Sequence, residues 1–331
     1  MSQFPTNTAI HLGPGTFNTR GAMSWQPKNG WQILGSGVDV STILQTSIQN
    51  AQFEVIGSLA TGLVVSNLTV DCNYINLAPT LLGTSKAIGA ITAASGYINN
   101  VKVIHAGGQI ETFTLGFCQY GLGGIPPTSV LIENCTVQQS GPNVTAIWAH
   151  NSQTNNNSDE QANGGQATIR NCTVLGTGDP TTGGIAFQIN GYKQGIIDRC
   201  TTTGTKYSVY RDTLPQTDLW ITNSNIMGLT DAIGFCGATT TGVTISGNTL
   251  GGGEIIIRTD TATNVTITNN VFVPVTNYNS WWWPLQTTSS TTITNNQFSP
   301  AITDGSGTVT LGQMYGNRYF DGTVVPFLPD N

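Results

Sequence analysis

One pattern of apolar and polar residues recurs along most of the chain. It consists of an apolar-x-apolar triplet, two small polar residues, and a further apolar or small residue. Apolar and polar residues that alternate with a period of two predict β-strands. Successive copies of the pattern lie between 22 and 37 residues apart. They are centred on Val70, Val103, Ile132, Ile169, Ile197, Ile221, Ile245, Ile267 and Ile293.

A strand pattern with this period indicates a parallel β-helix, in which three short strands and their turns complete one rung. The period is too short for a four-stranded propeller blade, and the leucine skeleton of leucine-rich repeats is missing. We therefore predict an all-β, single-domain parallel β-helix over residues 1–331, with roughly a dozen rungs. The pattern is interrupted near 106–128 and 138–166, where we expect long loops, and near 312–331, where we expect a C-terminal cap.

Rungs that lie in register predict that equivalent side chains stack on one another. The isoleucines from Ile132 to Ile293 would form one interior column, and the residues three positions later would form a ladder at the turn. Asn side chains hydrogen-bond along such a ladder, and Asn tolerates left-handed backbone there. We expect its cysteines to be stacked thiols rather than disulfides, because in-register neighbours give poor disulfide geometry. The ladder positions are Cys135, Cys172, Cys200, Ser224, Asn248, Asn270 and Asn296.

The amino-acid composition excludes some fold classes and some kinds of partner. The chain is rich in Gly, Thr and Asn, only 8% of its residues are charged, and 11 basic and 17 acidic residues give a net charge of −6. Gly and Asn disfavour helices, so a helical bundle is excluded. The scarcity of basic residues argues against nucleic acid as a partner. No apolar run reaches the roughly 18 residues that a membrane helix needs.

The first residues hold neither a basic segment nor an apolar one, so the sequence contains no signal peptide. The low charge and the high content of Asn and Thr nonetheless indicate an extracellular protein, or one on the surface of a cell or virion. We therefore expect that a leader is missing from this sequence.

Three segments near the N-terminus resemble the opening rungs of the pectin-lyase-like right-handed parallel β-helix superfamily. They are IHLGPGTF at 10–17, WQILGSG at 31–37 and STIL at 41–44. The resemblance implies a right-handed β-helix. It also implies a protein that acts on or binds polysaccharide, because the superfamily includes pectate and alginate lyases, polygalacturonases, uronan epimerases, phage tailspike depolymerases and non-catalytic adhesins.

Lyases of this superfamily use a base and a cation that neutralises a uronate carboxylate. Four of the 11 basic residues of the chain lie between residues 193 and 211. The resemblance implies that Lys206 and Tyr207 act there as base and acid, with Tyr210 beside them. Arg211 would hold the substrate carboxylate in a bidentate contact. The alternative is a solvated strand with ordinary surface charges.

Two further rungs supply candidate substrate-binding residues. The segment GEIIIR at 253–258 looks like a catalytic rung of alginate lyases, but it carries Arg258 instead of lysine and no Arg-His pair follows. Thr-Asp at Asp231 resembles the aspartate motif of the superfamily's hydrolases only in outline, since the second Asp and the His are missing. Asp212, Asp231 and Asp260 would still converge on one face if they lie on neighbouring rungs. The alternative is that these aspartates cap turns.

Several other residues are candidates for ligand contacts. Trp281 and Trp283 are expected on one side of their segment, where they would stack on sugar rings or else cover the apolar end of the rod. His150 adjoins the long polar loop. Carboxylates are the oxygen ligands that Ca²⁺ takes, and the candidates for such a site are Asp159, Glu160 and Asp198.

Two functions are therefore expected from the sequence. The first is a polysaccharide lyase, or a related polysaccharide-degrading enzyme, with Lys206 and Arg211 at its centre. The second is a non-catalytic glycan-binding module of a surface protein, fibre or tailspike, which would assemble as a homo-oligomer and, in a fibre, as a trimer. Low charge and incomplete catalytic motifs favour the second.

Overall fold

The computed structural model gives the fold of most of the chain. It describes residues 4–19, 25–47, 52–80, 87–109, 112–120, 129–152, 164–211, 215–237, 239–253, 255–273, 283–286, 290–299 and 314–324.

Nearly all of the described residues with regular structure are β-strands, and the strands form three parallel stacks. The first stack begins at the N-terminus, and each strand pairs in register with the next member. Its strands are β1 (Ala9–Leu12), β3 (Gln32–Gly35), β6 (Leu63–Asp71), β8 (Gly96–Gly108), β10 (Val130–Glu133), β13 (Gln166–Arg170), β16 (Gln194–Asp198), β19 (Gln216–Thr222), β21 (Thr240–Ser246), β24 (Ala262–Thr268), β27 (Thr291–Thr294) and β29 (Met314–Tyr315).

The second stack uses the later halves of β6 and β8 and the first half of β20 (Asn225–Phe235), together with nine shorter strands. Those shorter strands are β2 (Gly15–Thr19), β4 (Ser41–Gln45), β11 (Thr136–Gln139), β14 (Thr173–Leu175), β17 (Thr201–Thr203), β22 (Thr249–Gly252), β25 (Val271–Phe272), β28 (Gln297–Phe298) and β30 (Arg318–Tyr319).

The third stack includes the second half of β20. Its other strands are β5 (Gln52–Gly57), β7 (Ala87–Ala93), β9 (Thr112–Tyr120), β12 (Val144–Ser152), β15 (Ile185–Asn190), β18 (Thr205–Arg211), β23 (Ile255–Arg258) and β26 (Trp283–Gln286). A short helix, α1 (Tyr74–Leu77), and a 3-10 turn at Ala78–Thr80 follow β6. The chain thus passes through the first, second and third stacks in turn before it returns to the first.

The predicted isoleucine column lies inside the first stack. Ile132 pairs with Ile169, and the register continues without interruption to Ile293. Every member has no exposed surface, and burying such a side chain contributes about 2 kcal/mol. Residues far apart in sequence therefore hold neighbouring coils in register.

The first two anchors of the sequence pattern were wrong. Val70 and Val103 pair with each other in the second stack, and the residues that continue the isoleucine column are Val65 and Ile98. The cause is that β6 and β8 run through both stacks, so each strand carries an apolar-x-apolar triplet in either half.

The residues three positions after the column form the predicted ladder, and it extends to Asn317. The backbone N–H of Asn270 donates to Oδ1 of Asn296, and that of Asn296 donates to Oδ1 of Asn317. Left-handed backbone occurs one residue earlier than predicted, at Asn134, Asn171, Arg199, Asn223, Asn269 and Asn295. The ladder residue itself points inward, so the turn that precedes it takes the unusual backbone conformation.

None of the six cysteines forms a disulfide. Cys135, Cys172 and Cys200 are buried in the ladder, as expected. Burial raises the pKa of the Cys172 and Cys200 thiols well above the ordinary value. These three thiols therefore pack as small apolar groups.

Strands occupy parts of the segments in which long loops and a cap were expected. The end of β8 and the whole of β9 lie within 106–128, and β12 lies within 138–166. Near the C-terminus, β29 and β30 pair with β27 and β28 and continue the stacks. The connections that follow β9 and β12 are longer than those that follow the later strands of the third stack, and this irregular spacing hid the strands of the two segments.

Candidate functional site

The candidate site lies on the outer face of the third stack. The core row of this stack consists of fully or almost fully buried apolar residues in register. This row is Ile147, Phe187, Val209, Ile233 and Ile257. Trp148, Tyr210 and Arg258 each follow a member of this row, so their side chains lie on the other side of the sheet, and we call this surface the third-stack face.

Two tyrosines and a lysine from β18 meet on the third-stack face. The rings of Tyr207 and Tyr210 lie 4.6 Å apart between centroids, with 30° between their planes. The ammonium of Lys206 lies 5.1 Å from the centroid of the Tyr207 ring, a distance at which a cation is attracted to an aromatic face. Tyr207 therefore contacts two of the other predicted catalytic residues, Lys206 and Tyr210.

A buried carboxylate and an arginine lie beside the tyrosines. Asp231 pairs in register with Tyr207 and has no exposed surface. Its Oδ2 lies 3.9 Å from Nε of Arg258, which is an ion pair longer than a hydrogen bond. Burial lowers the pKa of Arg258, but Asp231, Cys236 and Asp260 raise it by more, so the net shift is upward. The guanidinium therefore stays charged.

A small pocket of about 250 Å³ opens where β12, β15 and β18 begin. Lys206 and Tyr207 line it from one side. Asn143, Thr145 and Thr181 line it from the neighbouring strands and turns. The pocket thus offers an ammonium, a phenol, an amide and two threonines to a polar ligand.

The structure adds aromatic residues that the sequence pattern did not single out. The ring centroids of Phe113 and Trp148 lie 4.4 Å apart. Trp148 lies across Gly116 of the adjacent strand, where a Cβ atom would come within 2.0 Å of the Trp148 carbonyl oxygen. Glycine at 116 is therefore what admits the indole. The sequence does show aromatic residues in β9 and β12, but the irregular spacing of these strands prevented us from predicting that the residues share one side of the sheet.

His150 is the next outward residue after Trp148 on β12. Desolvation by burial lowers its pKa from 6.5 to about 4. Its imidazole is therefore neutral at physiological pH. Its register partners on the two adjacent strands are Cys118 and Asn190.

The proposed calcium ligand Asp198 lies in the first stack, away from the third-stack face. Its Oδ1 accepts hydrogen bonds from Thr222 and Asn223, and its Oδ2 lies 2.9 Å from Nε of Arg199. Burial raises the pKa of Asp198, but these partners lower it further, and the net shift is downward. Within the described ranges, no group of three or more His, Cys, Asp or Glu residues could hold a metal ion.

The remaining candidates are described in part or not at all. Arg211 ends β18 and Trp283 begins β26, and only the backbone of each is described. The candidates outside the described residues are Asp159, Glu160, Asp212 and Trp281.

Comparison with known proteins shows what fold these stacks form. The structure is similar to a tailspike protein mutant of E. coli bacteriophage HK620 in complex with a pentasaccharide, with a TM-score of 0.65 and 9% identity; the match covers 94% of this chain and 58% of that chain. It is also similar to PfbA, a surface adhesin of Streptococcus pneumoniae, with a TM-score of 0.54 and 14% identity, over 87% and 76% of the two chains. A hyperthermoactive exopolygalacturonase from Thermotoga maritima matches with a TM-score of 0.53 and 9% identity, over 94% and 84%.

The protein shares the fold of pectin-lyase-like parallel β-helix proteins. The parallel β-helix fold that the N-terminal segments implied is thereby confirmed. No protein-family model matches this chain, and no curated protein matches its sequence. Among the described residues of this β-helix, no helix is long and apolar enough to cross a membrane.

Proposed function

We propose that this protein binds a polysaccharide along the third-stack face and cleaves it as a lyase. The contacts of Tyr207 with Lys206 and with Tyr210, beside the Asp231–Arg258 pair, carry the proposal. The proposal takes the chain to be a right-handed β-helix of roughly a dozen rungs, and the regular three-stack pairing supports this. The glycan would be met outside the cell or on a cell or virion surface.

The residues of the site suit both binding and β-elimination. Tyrosine rings present apolar faces with a polar edge, which matches the faces and hydroxyls of sugar rings. In the elimination, Lys206 in its neutral form would take the proton from the carbon beside a uronate carboxylate. Tyr207 would give a proton to the departing glycosidic oxygen, and a double bond would form in the sugar. Arg211 or Arg258 would balance the carboxylate charge.

A panel of uronans and neutral glycans tests this proposal. Lyase action gives ultraviolet absorbance from the unsaturated uronate product, whereas hydrolysis gives new reducing ends without that absorbance. Lys206→Met should abolish turnover and leave binding in place, while Lys193→Met, on a turn outside the face, should retain both. Turnover that survives Lys206→Met would contradict the lyase proposal.

The second candidate function is glycan binding without cleavage. The shallow pocket and the paired aromatic rings favour it, because both provide contact area without requiring a proton transfer. In that case the double variant Tyr207→Ala/Tyr210→Ala would lose glycan binding, whereas Trp220→Ala on the first stack would keep it. No glycan of the panel would be cleaved.

As a surface or tailspike-like module the protein would assemble as a homo-oligomer, and in a fibre as a trimer. A requirement for Ca²⁺ in either function would appear as sensitivity to a chelator.

A further inference from the structure

A thiol, an imidazole and an amide form one row at the carboxyl ends of three neighbouring strands. Cys118 on β9 pairs in register with His150 on β12, and His150 pairs with Asn190 on β15. Register partners in parallel strands lie about 4.8 Å apart and their side chains leave the sheet on the same side. His150 therefore stands between a soft sulfur ligand and an amide oxygen.

Two buried polar groups of this region lack hydrogen-bond partners among the described residues. Asn190 is 1% exposed and its Oδ1 accepts no hydrogen bond. Tyr192 is fully buried and its hydroxyl is also without a partner. Burial, and to a smaller extent Cys118, raises the pKa of this tyrosine. Buried polar atoms are nearly always satisfied, and an exception calls for an unseen water, ion or ligand.

We propose that Cys118 and His150 bind a thiophilic transition-metal ion of the Zn²⁺ type, with the Asn190 side-chain oxygen and water completing its coordination. Sulfur and nitrogen ligands lie about 2.3 Å and 2.0 Å from zinc, so side chains on adjacent strands reach a shared ion. The Cys118 thiol releases its proton when the metal binds. The imidazole of His150 would coordinate through a ring nitrogen that carries no proton. This site is separate from the Lys206 and Tyr207 cluster and does not depend on the proposed glycan chemistry.

Titration of the full chain with Co²⁺, after chelator treatment, tests the site directly. Thiolate ligation of Co²⁺ gives a near-ultraviolet charge-transfer band, and Zn²⁺ in excess should remove it. Cys72, Cys135, Cys172 and Cys200 are buried, which leaves Cys236 as the matched control. The band should be absent in Cys118→Ser and unchanged in Cys236→Ser. In His150→Gln the apparent affinity for Co²⁺, measured from the band, should fall at least tenfold. No band in the wild type, or a band retained in Cys118→Ser, would overturn the proposal.

A second measurement uses the unaltered protein, so that it does not depend on the folding of any variant. Zn²⁺ should slow alkylation of Cys118 by iodoacetamide at least tenfold, measured by peptide mass spectrometry, and leave the rate at Cys236 unchanged. Equal rates at Cys118 with and without Zn²⁺ would also overturn the proposal.

Discussion

The side-chain oxygen of Asn270 accepts two hydrogen bonds from Asn248. One comes from the backbone N–H and the other from Nδ2, both at 3.0 Å. Asn270 in turn donates from its own Nδ2 to the carbonyl of Ile245 and to Oδ1 of Asn296. Each side-chain amide is thus hydrogen-bonded to the coils on either side. Its loss would leave buried polar groups of both coils without hydrogen-bond partners.

Asn270→Leu should therefore lower the free energy of unfolding by about 3 kcal/mol, because a buried donor left without a partner costs 1–3 kcal/mol. Urea denaturation followed by circular dichroism measures the change. Thr263→Val, at an exposed position on the strand before this turn, should change stability by less than about 0.5 kcal/mol. Equal stabilities for the two variants would mean that the ladder does not hold the coils together.

Gly116→Ala should destabilise the third stack. The added Cβ would lie 2.0 Å from the carbonyl oxygen of Trp148 and 2.6 Å from Cδ1 of its indole. Either the strand or the indole must therefore move, which should lower the free energy of unfolding by about 3 kcal/mol. Thermal unfolding and tryptophan fluorescence report the two effects. Gly13→Ala is the control, because its Cβ would meet nothing within 4 Å. An unshifted unfolding temperature in Gly116→Ala would contradict the contact of Trp148 with residue 116.

The Asp231–Arg258 pair should show strong coupling. Arg258→Gln leaves a fully buried carboxylate without its cation, which should cost about 3 kcal/mol. In an Asp231→Asn background the same change should cost less than about 1 kcal/mol, since no buried charge remains. A double-mutant cycle by chemical denaturation measures the difference. Additive losses would indicate that the two groups do not interact.

His150 should make stability depend on pH between about 6.5 and 4. Its pKa is lowered to about 4 in the folded protein, so the unfolded chain binds the proton more readily and stability falls as the pH falls through this window. Relative to His150→Gln, the wild type should lose roughly 3 kcal/mol over the window. Comparison of the two proteins removes contributions from other groups, such as Glu54, whose pKa is raised by burial. Parallel pH profiles would contradict a buried, neutral His150.

The sequence predicted the later coils well and the earlier coils poorly. From Ile132 onward one triplet per coil marks the first stack, and every predicted pairing is found. In β6 and β8 two triplets compete, and the pattern alone could not decide between Val65 and Val70. The choice depends on which residues reach the core, which is a tertiary property.

Part of the candidate site could also be predicted from the sequence, and part could not. Lys206, Tyr207 and Tyr210 are close in sequence, and Asp231 and Arg258 follow at one-coil intervals, so the register brings them together. Phe113, Trp148 and the Cys118–His150–Asn190 row come from β9, β12 and β15, and the long connections that follow β9 and β12 interrupt the repeat that would reveal their register. The role of every site residue remains a prediction.

Hydrogen–deuterium exchange with and without a bound oligosaccharide tests the central proposal most directly. The oligosaccharide is the one that binds most tightly in the panel. We predict slower exchange in β15, β18 and β23 of the third stack and unchanged exchange in β19 and β21 of the first stack. Protection confined to the first stack, or the absence of binding by any glycan of the panel, would contradict the assignment of the third-stack face.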